Sequence, residues 1–239
     1  LEIDEEGGRR LNTGLQVEWS ALDWLDLRTE LSLRQQHNLL RWASNESFAR
    51  WPDGWAIGAE SAAPDELTEA DFTRLPSAGP LDELATRYDP YEGFADRYYV
   101  AVFGRRDTRS LELSLRGTLT FSPMLSVQSF AQLLLARGRY TDPSLRLDKD
   151  TLLPFPDYPK RHEFVLNSFR VNVVLRWEYR PGSVLYLVWA HDRDAYDRAD
   201  PFQPDSWYQE LTFPEQLRDT SRLFPDNAFT VKLTYLIFS

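Results

Sequence analysis

Val171-Asn-Val-Val-Leu-Arg-Trp-Glu-Tyr-Arg-Pro-Gly-Ser-Val-Leu-Tyr-Leu-Val-Trp189 alternates apolar and polar side chains as far as Tyr179. It reverses at Arg180-Pro-Gly-Ser183 and goes on almost wholly apolar. Period-two alternation marks a strand, because successive side chains of an extended chain point to opposite faces. Pro181 fixes φ and Gly182 permits φ > 0, so the chain can turn back in few residues. The stretch therefore reads as a β-hairpin with one greasy face. Either a second sheet or lipid keeps water from that face, and the two solvents imply different functions.

The same period recurs in Leu11–Trp19, Leu25–Leu33, Leu111–Phe121, Leu125–Leu133 and Phe229–Ile237, while Val184–Ala190 is apolar on both faces. With Phe169–Tyr179 these make seven expected strands. The strand ending at Phe121 can begin as early as Arg97, because Tyr99, Ala101 and Phe103 share its parity. Tight turns are expected at Ser20–Asp23, Ser122–Met124 and Arg180–Ser183. Long connections are expected at Asn45–Asp96, Thr141–Arg161 and Asp192–Asn227, with short helices within Pro64–Thr86. Long structureless loops weigh against a compact soluble domain. Short turns at one end and long loops at the other are the outer-membrane barrel pattern.

Composition narrows the classes. The chain of 239 residues carries a net charge of -10, which argues against nucleic acid, since that partner demands a basic face. With no cysteine, a disulfide framework and a thiolate metal site are both excluded. No run of about 18 apolar residues exists, so no transmembrane helix is expected. The first residue is Leu1 and no signal-peptide core follows. A strand count with the first strand running toward the turns leaves its start outside. The reading is one β-barrel domain over 1–239, the C-terminal fragment of a longer chain, with upstream strands missing or an overlooked strand in Leu39–Ile57.

Three features favour lipid over a second sheet. The alternating runs reach the roughly 9–11 residues of a tilted membrane strand, where soluble strands usually have about 5–6. Trp19, Trp24, Phe121, Trp177 and Tyr179 sit beside the tight turns, where an interfacial aromatic belt would lie. The polar face carries both charge signs. Arg28, Glu30, Arg34, Glu112, Arg116, Gln128, Gln132, Arg170, Asn172, Arg176, Glu178 and Lys232 are the expected lumen-lining residues, with Glu112 partnered by Arg116 and Glu178 by Arg176. The fold expected is an all-β, antiparallel, up-and-down transmembrane barrel with periplasmic turns and extracellular loops, in the bacterial outer membrane. The chain ends Val231-Lys-Leu-Thr-Tyr-Leu-Ile-Phe-Ser239. This resembles the signal strand through which the barrel-insertion machinery recognises its clients.

The wider resemblance rests on Leu111-Glu-Leu-Ser-Leu-Arg-Gly-Thr-Leu-Thr-Phe-Ser-Pro123, Leu125-Ser-Val-Gln-Ser-Phe-Ala-Gln132, Val174-Leu-Arg-Trp-Glu-Tyr-Arg-Pro-Gly-Ser183 and Pro225-Asp-Asn-Ala-Phe-Thr-Val-Lys-Leu-Thr-Tyr235. Residues Arg97 to Tyr140 and Phe164 to Phe238, about half of the chain, resemble the end of a family of uncharacterised outer-membrane β-barrels. Its members usually carry, upstream, a domain similar to family 9 carbohydrate-binding modules. The resemblance implies a channel, transporter or membrane anchor linked to carbohydrate binding or uptake. It brings no catalytic residues, and the carbohydrate-binding part is not visible in this chain.

The chemistry-bearing residues are sparse. His37, His162 and His191 lack a metal-pair spacing, and His162 with Ser168 makes no obvious nucleophile pair. No G-x-S-x-G, phosphate loop or dinucleotide fingerprint occurs. Asp192, Asp194, Asp197 and Asp200 cluster without the glycine that a calcium loop needs. No catalytic residue, metal or cofactor is expected. Trp51, Trp55, Tyr88, Tyr91 and Trp207 could stack on sugar rings or pack the loops together. Two further readings stay open: a soluble β-rich binding domain using those loop aromatics, and, more weakly, a hydrolase.

Overall fold

The computed structural model describes residues 2–3, 8–59, 67–91, 93–198 and 212–236. Eleven strands form one antiparallel sheet. Its path is β1 (Glu2–Ile3), β2 (Arg9–Leu22), β3 (Leu25–Trp51), β6 (Asp96–Ser122), β7 (Leu125–Arg146), β9 (Phe164–Arg180), β10 (Ser183–Arg198) and β11 (Asp226–Thr234). Off this path, β4 (Gly54–Gly58) pairs with β3 and with β5 (Phe72–Arg74), and β8 (Leu152–Pro154) pairs with β7. Two helices, α1 (Leu81–Arg87) and α2 (Phe213–Arg222), lie in the connections. The sheet curls into half a barrel, and among the described residues its two edges do not meet.

The hairpin of Phe169–Trp189 forms as the alternation requires, with Leu187 opposite Leu175 and Gly182 at φ 77°. All three tight turns lie at one end. The Trp24 carbonyl accepts the Thr120 N–H at 2.8 Å, and the Met124 carbonyl accepts that of Glu178 at 2.8 Å, so neighbouring turns are laddered together. The connections cross at the opposite end.

The strands run further than their sequence pattern suggests. β3 and β6 have 27 residues each and β7 has 22. Asn45–Trp51, Thr141–Arg146 and Asp192–Arg198, expected as loop, are the loop-ward ends of β3, β7 and β10. Leu39–Ile57 is likewise no separate strand but the rest of β3 and then β4. β3 hides its length through two bulges, at Gln36/Leu39 and Trp42/Ser44. Asn38 takes φ 59°, which asparagine tolerates, and its N–H is held by Asp107 Oδ1 at 2.8 Å. The first bulge moves the following residues to the other face and the second moves them back.

The core corrects a second expectation. Near the turns, Leu111, Leu113 and Leu115 carry the apolar parity of β6. Toward the loops the buried residues are Tyr98, Val100 and Val102, of the opposite parity, while Tyr99 is exposed. Phe48, Trp55, Leu81, Leu145 and Phe155 close around them. The connections thus fold over the sheet face that carries the charges lower down.

α2 sits on the other face. Its Gln216 amide donates to Asn167 Oδ1 at 3.1 Å, and Arg137 lies over the Phe213 ring. The Glu215 carboxylate accepts the Thr212 N–H at 2.6 Å and its hydroxyl at 2.8 Å. The backbone bond first, then the hydroxyl, lower the pKa of Glu215 below 4.5. A lowered carboxylate pKa gives stability that is complete above the unfolded value and lost as pH falls through the folded one. The exchange protection of the Gln216–Thr220 amides, taken relative to the free-peptide rate at the same pH, is therefore expected to fall on acidification below about pH 4.5, and Glu215→Gln should remove that dependence. A pH-independent wild type would refute the cap.

Candidate functional site

Strand register sorts the side chains onto two faces. Leu15, Leu31, Leu113, Leu133 and Phe169 form one cross-strand row. Val127, Leu175, Leu187 and Val231 form another. From the turns up to Leu33, Leu111 and Val171, this face holds no Asp, Glu, Lys or Arg among the described residues, and its one histidine is His191, opposite Val171. Loop-ward it ends in Arg109, Arg137 and Arg193, and at the turns in Trp19, Trp24, Trp177 and Tyr179. Phe169 to Trp177 covers roughly 26 Å along the strand at ~3.3 Å per residue.

Most of this face is uncovered where a soluble fold would bury it best, the exception being Leu135 at its loop-ward end, where α2 packs. Leu15 is 61% exposed and Val231 69%. Val17, Leu113, Leu115 and Leu233 are exposed too, and Leu31, Val171, Val173 and Leu175 are half-buried. The core lies elsewhere, at the loop end.

The opposite face holds all twelve polar residues singled out in the sequence: Arg28, Glu30, Arg34, Glu112, Arg116, Gln128, Gln132, Arg170, Asn172, Arg176, Glu178 and Lys232. Some pair as their charges demand. Arg170 meets Asp192 at 3.1 Å, Arg176 meets Glu178 at 2.8 Å, and Arg28 meets Glu18 at 3.3 Å. Glu178 also accepts the Gly182 N–H at 3.0 Å, which ties the pair to its turn. The expected Glu112–Arg116 pair does not form, because residues four apart on a strand are ~13 Å apart. Glu112 instead accepts the Gln132 amide at 2.7 Å, and Arg116 lies 5.2 Å over the Phe130 ring. A depression of ≈340 Å³ opens on this face beside Phe130, Arg170, Asn172 and Asp226.

The loop aromatics divide. Trp55 is only 4% exposed, packs on Tyr98 and donates its indole N–H to Asp82 at 3.0 Å, so it is a core residue and not a stacking platform. Trp51 is half-buried between Arg74 and Phe94. Tyr88 and Tyr91 are exposed. Trp207, Asp200 and the terminal Ile237–Ser239 lie outside the described residues. Asp192, Asp194 and Asp197 belong to strand β10, and no cluster of metal-ligating side chains exists among the described residues.

One cluster has no counterpart in the sequence reading. Glu46 Oε2 meets Lys160 Nζ at 2.5 Å, with both side chains 1% exposed. Its Oε1 accepts the Ser44 hydroxyl at 2.6 Å and the Tyr158 hydroxyl at 3.0 Å. His162 Nε2 lies 3.2 Å from Ser44 and 2.7 Å from Tyr158. Nε2 thus faces both hydroxyl oxygens, and whether it donates or accepts follows from the imidazole tautomer. Burial, and then the Glu46 charge, push the Tyr158 pKa far above its ordinary value, so the phenol stays protonated. Ser44 gives its proton to a carboxylate and not to histidine, which is the wrong sense for an activated nucleophile. The cluster latches the segment before β9 onto β3.

A family model covers residues 85–238, more than half of the chain. The chain belongs to the family of DUF5916, a domain of unknown function. The match takes in the end of α1 and every strand from β6 to β11. It therefore includes most of the uncharged face and the DUF5916 share of the polar one. No curated protein and no solved structure matches the chain. No helix among the described residues is long and apolar enough to cross a membrane.

Proposed function

We propose that this DUF5916 chain is part of the wall of an outer-membrane β-barrel, serving as a channel, transporter or membrane anchor. The observation that carries the reading is the largely uncovered face, free of Asp, Glu, Lys and Arg among the described residues, that spans seven strands and is bounded by arginines above and aromatic rings below. Soluble monomers rarely expose apolar patches beyond a few hundred Å². A lipid-facing wall needs such a band, about 25 Å tall and edged by aromatic girdles. On this reading the twelve polar residues line a lumen, and the folded connections narrow its loop-end mouth. Lipid chains offer no partner to unpaired backbone groups, so further strands pair the open edges at β2 and β11. The C-terminal strand is the segment presented to the insertion machinery.

The absence of cysteine makes the test clean. Single Val173→Cys and Leu115→Cys variants, labelled with an environment-sensitive dye in lipid vesicles, should emit at short wavelength and be quenched by brominated lipid. Asn172→Cys and Gln132→Cys labels should respond only to quenchers dissolved in water. A chain that stays soluble without detergent, or labels that behave alike on both faces, would sink the proposal and leave a soluble binding domain in its place.

A further inference from the structure

We propose that the loop end carries a groove for a neutral oligosaccharide, laid across the exposed ring of Tyr91. Two depressions share Tyr91 as their common wall. The larger, ≈570 Å³, is lined by Arg50, Trp51, Phe94 and Asp96. The smaller, ≈250 Å³, is lined by Tyr88, Asp89, Tyr99 and Arg146. Tyr91 is 55% exposed, and Tyr88, Phe94 and Tyr99 are also exposed.

The platform is held rigid. The Tyr91 N–H donates to the Arg97 carbonyl at 2.8 Å, and the Tyr88 hydroxyl donates to the Leu147 carbonyl. Arg50 and Asp96 are direct register partners on β3 and β6. Arg146 is anchored on the carbonyls of Asp148 and Lys149. Asp148 is itself fixed, because the Asp150 N–H and then the Thr151 hydroxyl hold its carboxylate below the usual range. Little ordering cost remains for a ligand to meet.

The chemistry selects the ligand class. Exposed aromatic faces are electron-rich and accept the weakly positive C–H face of a pyranose. A carboxylate accepts sugar hydroxyl protons and a guanidinium donates to their oxygens. Among the described residues each depression supplies one aspartate and one arginine, so neither a polyanion nor a polycation is favoured. Arg74 over Trp51 and Arg97 over Phe94 already occupy ring faces with cations, which disfavours a cationic ligand further. Two depressions on either side of one ridge suit a chain of repeated units better than a compact molecule. The groove stands whichever solvent meets the apolar face.

Calorimetric titration of the detergent-solubilised chain tests this with hexamers of β-1,4-glucose, α-1,4-glucose and β-1,4-xylose, and a galacturonate hexamer as the charged comparison. At least one neutral hexamer should bind, more tightly than its trimer. Tyr91→Ala and the shape-conserving Asp96→Asn should each weaken it by about tenfold or more. Trp24→Ala, at the far end of the sheet, should bind as the parent does. Failure of all neutral hexamers to bind, preference for galacturonate, or an unaltered affinity in Tyr91→Ala overturns the proposal.

Discussion

Replacing Lys160 by methionine is expected to lower the unfolding free energy by about 3–5 kcal/mol, the usual cost of removing one partner from a buried ion pair. The side chain of Glu46 is as buried as that of Lys160, and their contact is 2.5 Å. Without the ammonium, Glu46 keeps only the Ser44 and Tyr158 hydroxyls as donors. Two neutral hydrogen bonds do not offset a carboxylate taken out of water. The double variant Glu46→Met with Lys160→Met should be much less destabilised than the single one, because no uncompensated charge is left. Denaturant melts followed by tryptophan fluorescence measure both. A Lys160→Met chain within about 0.5 kcal/mol of the parent would show that water reaches Glu46.

The second large effect separates the two faces. Val173→Arg should cost roughly 2–4 kcal/mol in vesicles if this position lies near the bilayer midplane. Val173 pairs with Ser129 and Trp189 on the face that carries no charge. Its neighbour Val174 pairs with Gln128 and Val188 on the opposite face. Val174→Arg should therefore cost far less, since a polar lumen accommodates a guanidinium. One residue of displacement thus changes the solvent that the arginine meets. Equal costs, or a larger one at Val174, would falsify the lipid-facing assignment of this face.

The half of the sheet nearest the turns was legible, because between the irregularities at the turns themselves and Asn38 its strands keep one register. The alternation of Phe169–Tyr179 and Leu111–Phe121 survives into the structure residue for residue. Legibility stops at Asn38. The first bulge of β3 inverts the parity and the second restores it, so the alternation is broken between them, and beyond them the buried side changes from the face of Leu33 to the face of Phe48. Asp192–Asp197 looked like an acidic loop because its charges are spaced along a strand with Arg193 and Ala195 between them. Helix α2 did carry a local signal, Thr212-Phe-Pro-Glu215, but it lay unread within an acidic, proline-rich connection. The Glu46 latch had none, since its partners come from segments more than a hundred residues apart and only pairing in space joins them.

Polarity along the open sheet limits what can complete it. The two-residue β1 pairs only Arg9 and Arg10, so the open rims are the rest of β2 and β11, and from one to the other the path takes six antiparallel steps, β2-β3-β6-β7-β9-β10-β11. An even number of reversals leaves both rims running the same way, from loop end to turn end. Seaming one rim to the other would place a parallel joint in a wholly antiparallel sheet. A second copy rotated about the barrel axis brings β11 against β2 in that same parallel sense. A copy related by a two-fold axis normal to the sheet would pair antiparallel, but its loops would emerge on the other side of the membrane. Neither arrangement of identical chains satisfies both backbone direction and sidedness. On the proposed barrel reading an odd number of non-identical strands does, and it would bring the total to an even count, as closed bacterial barrels have.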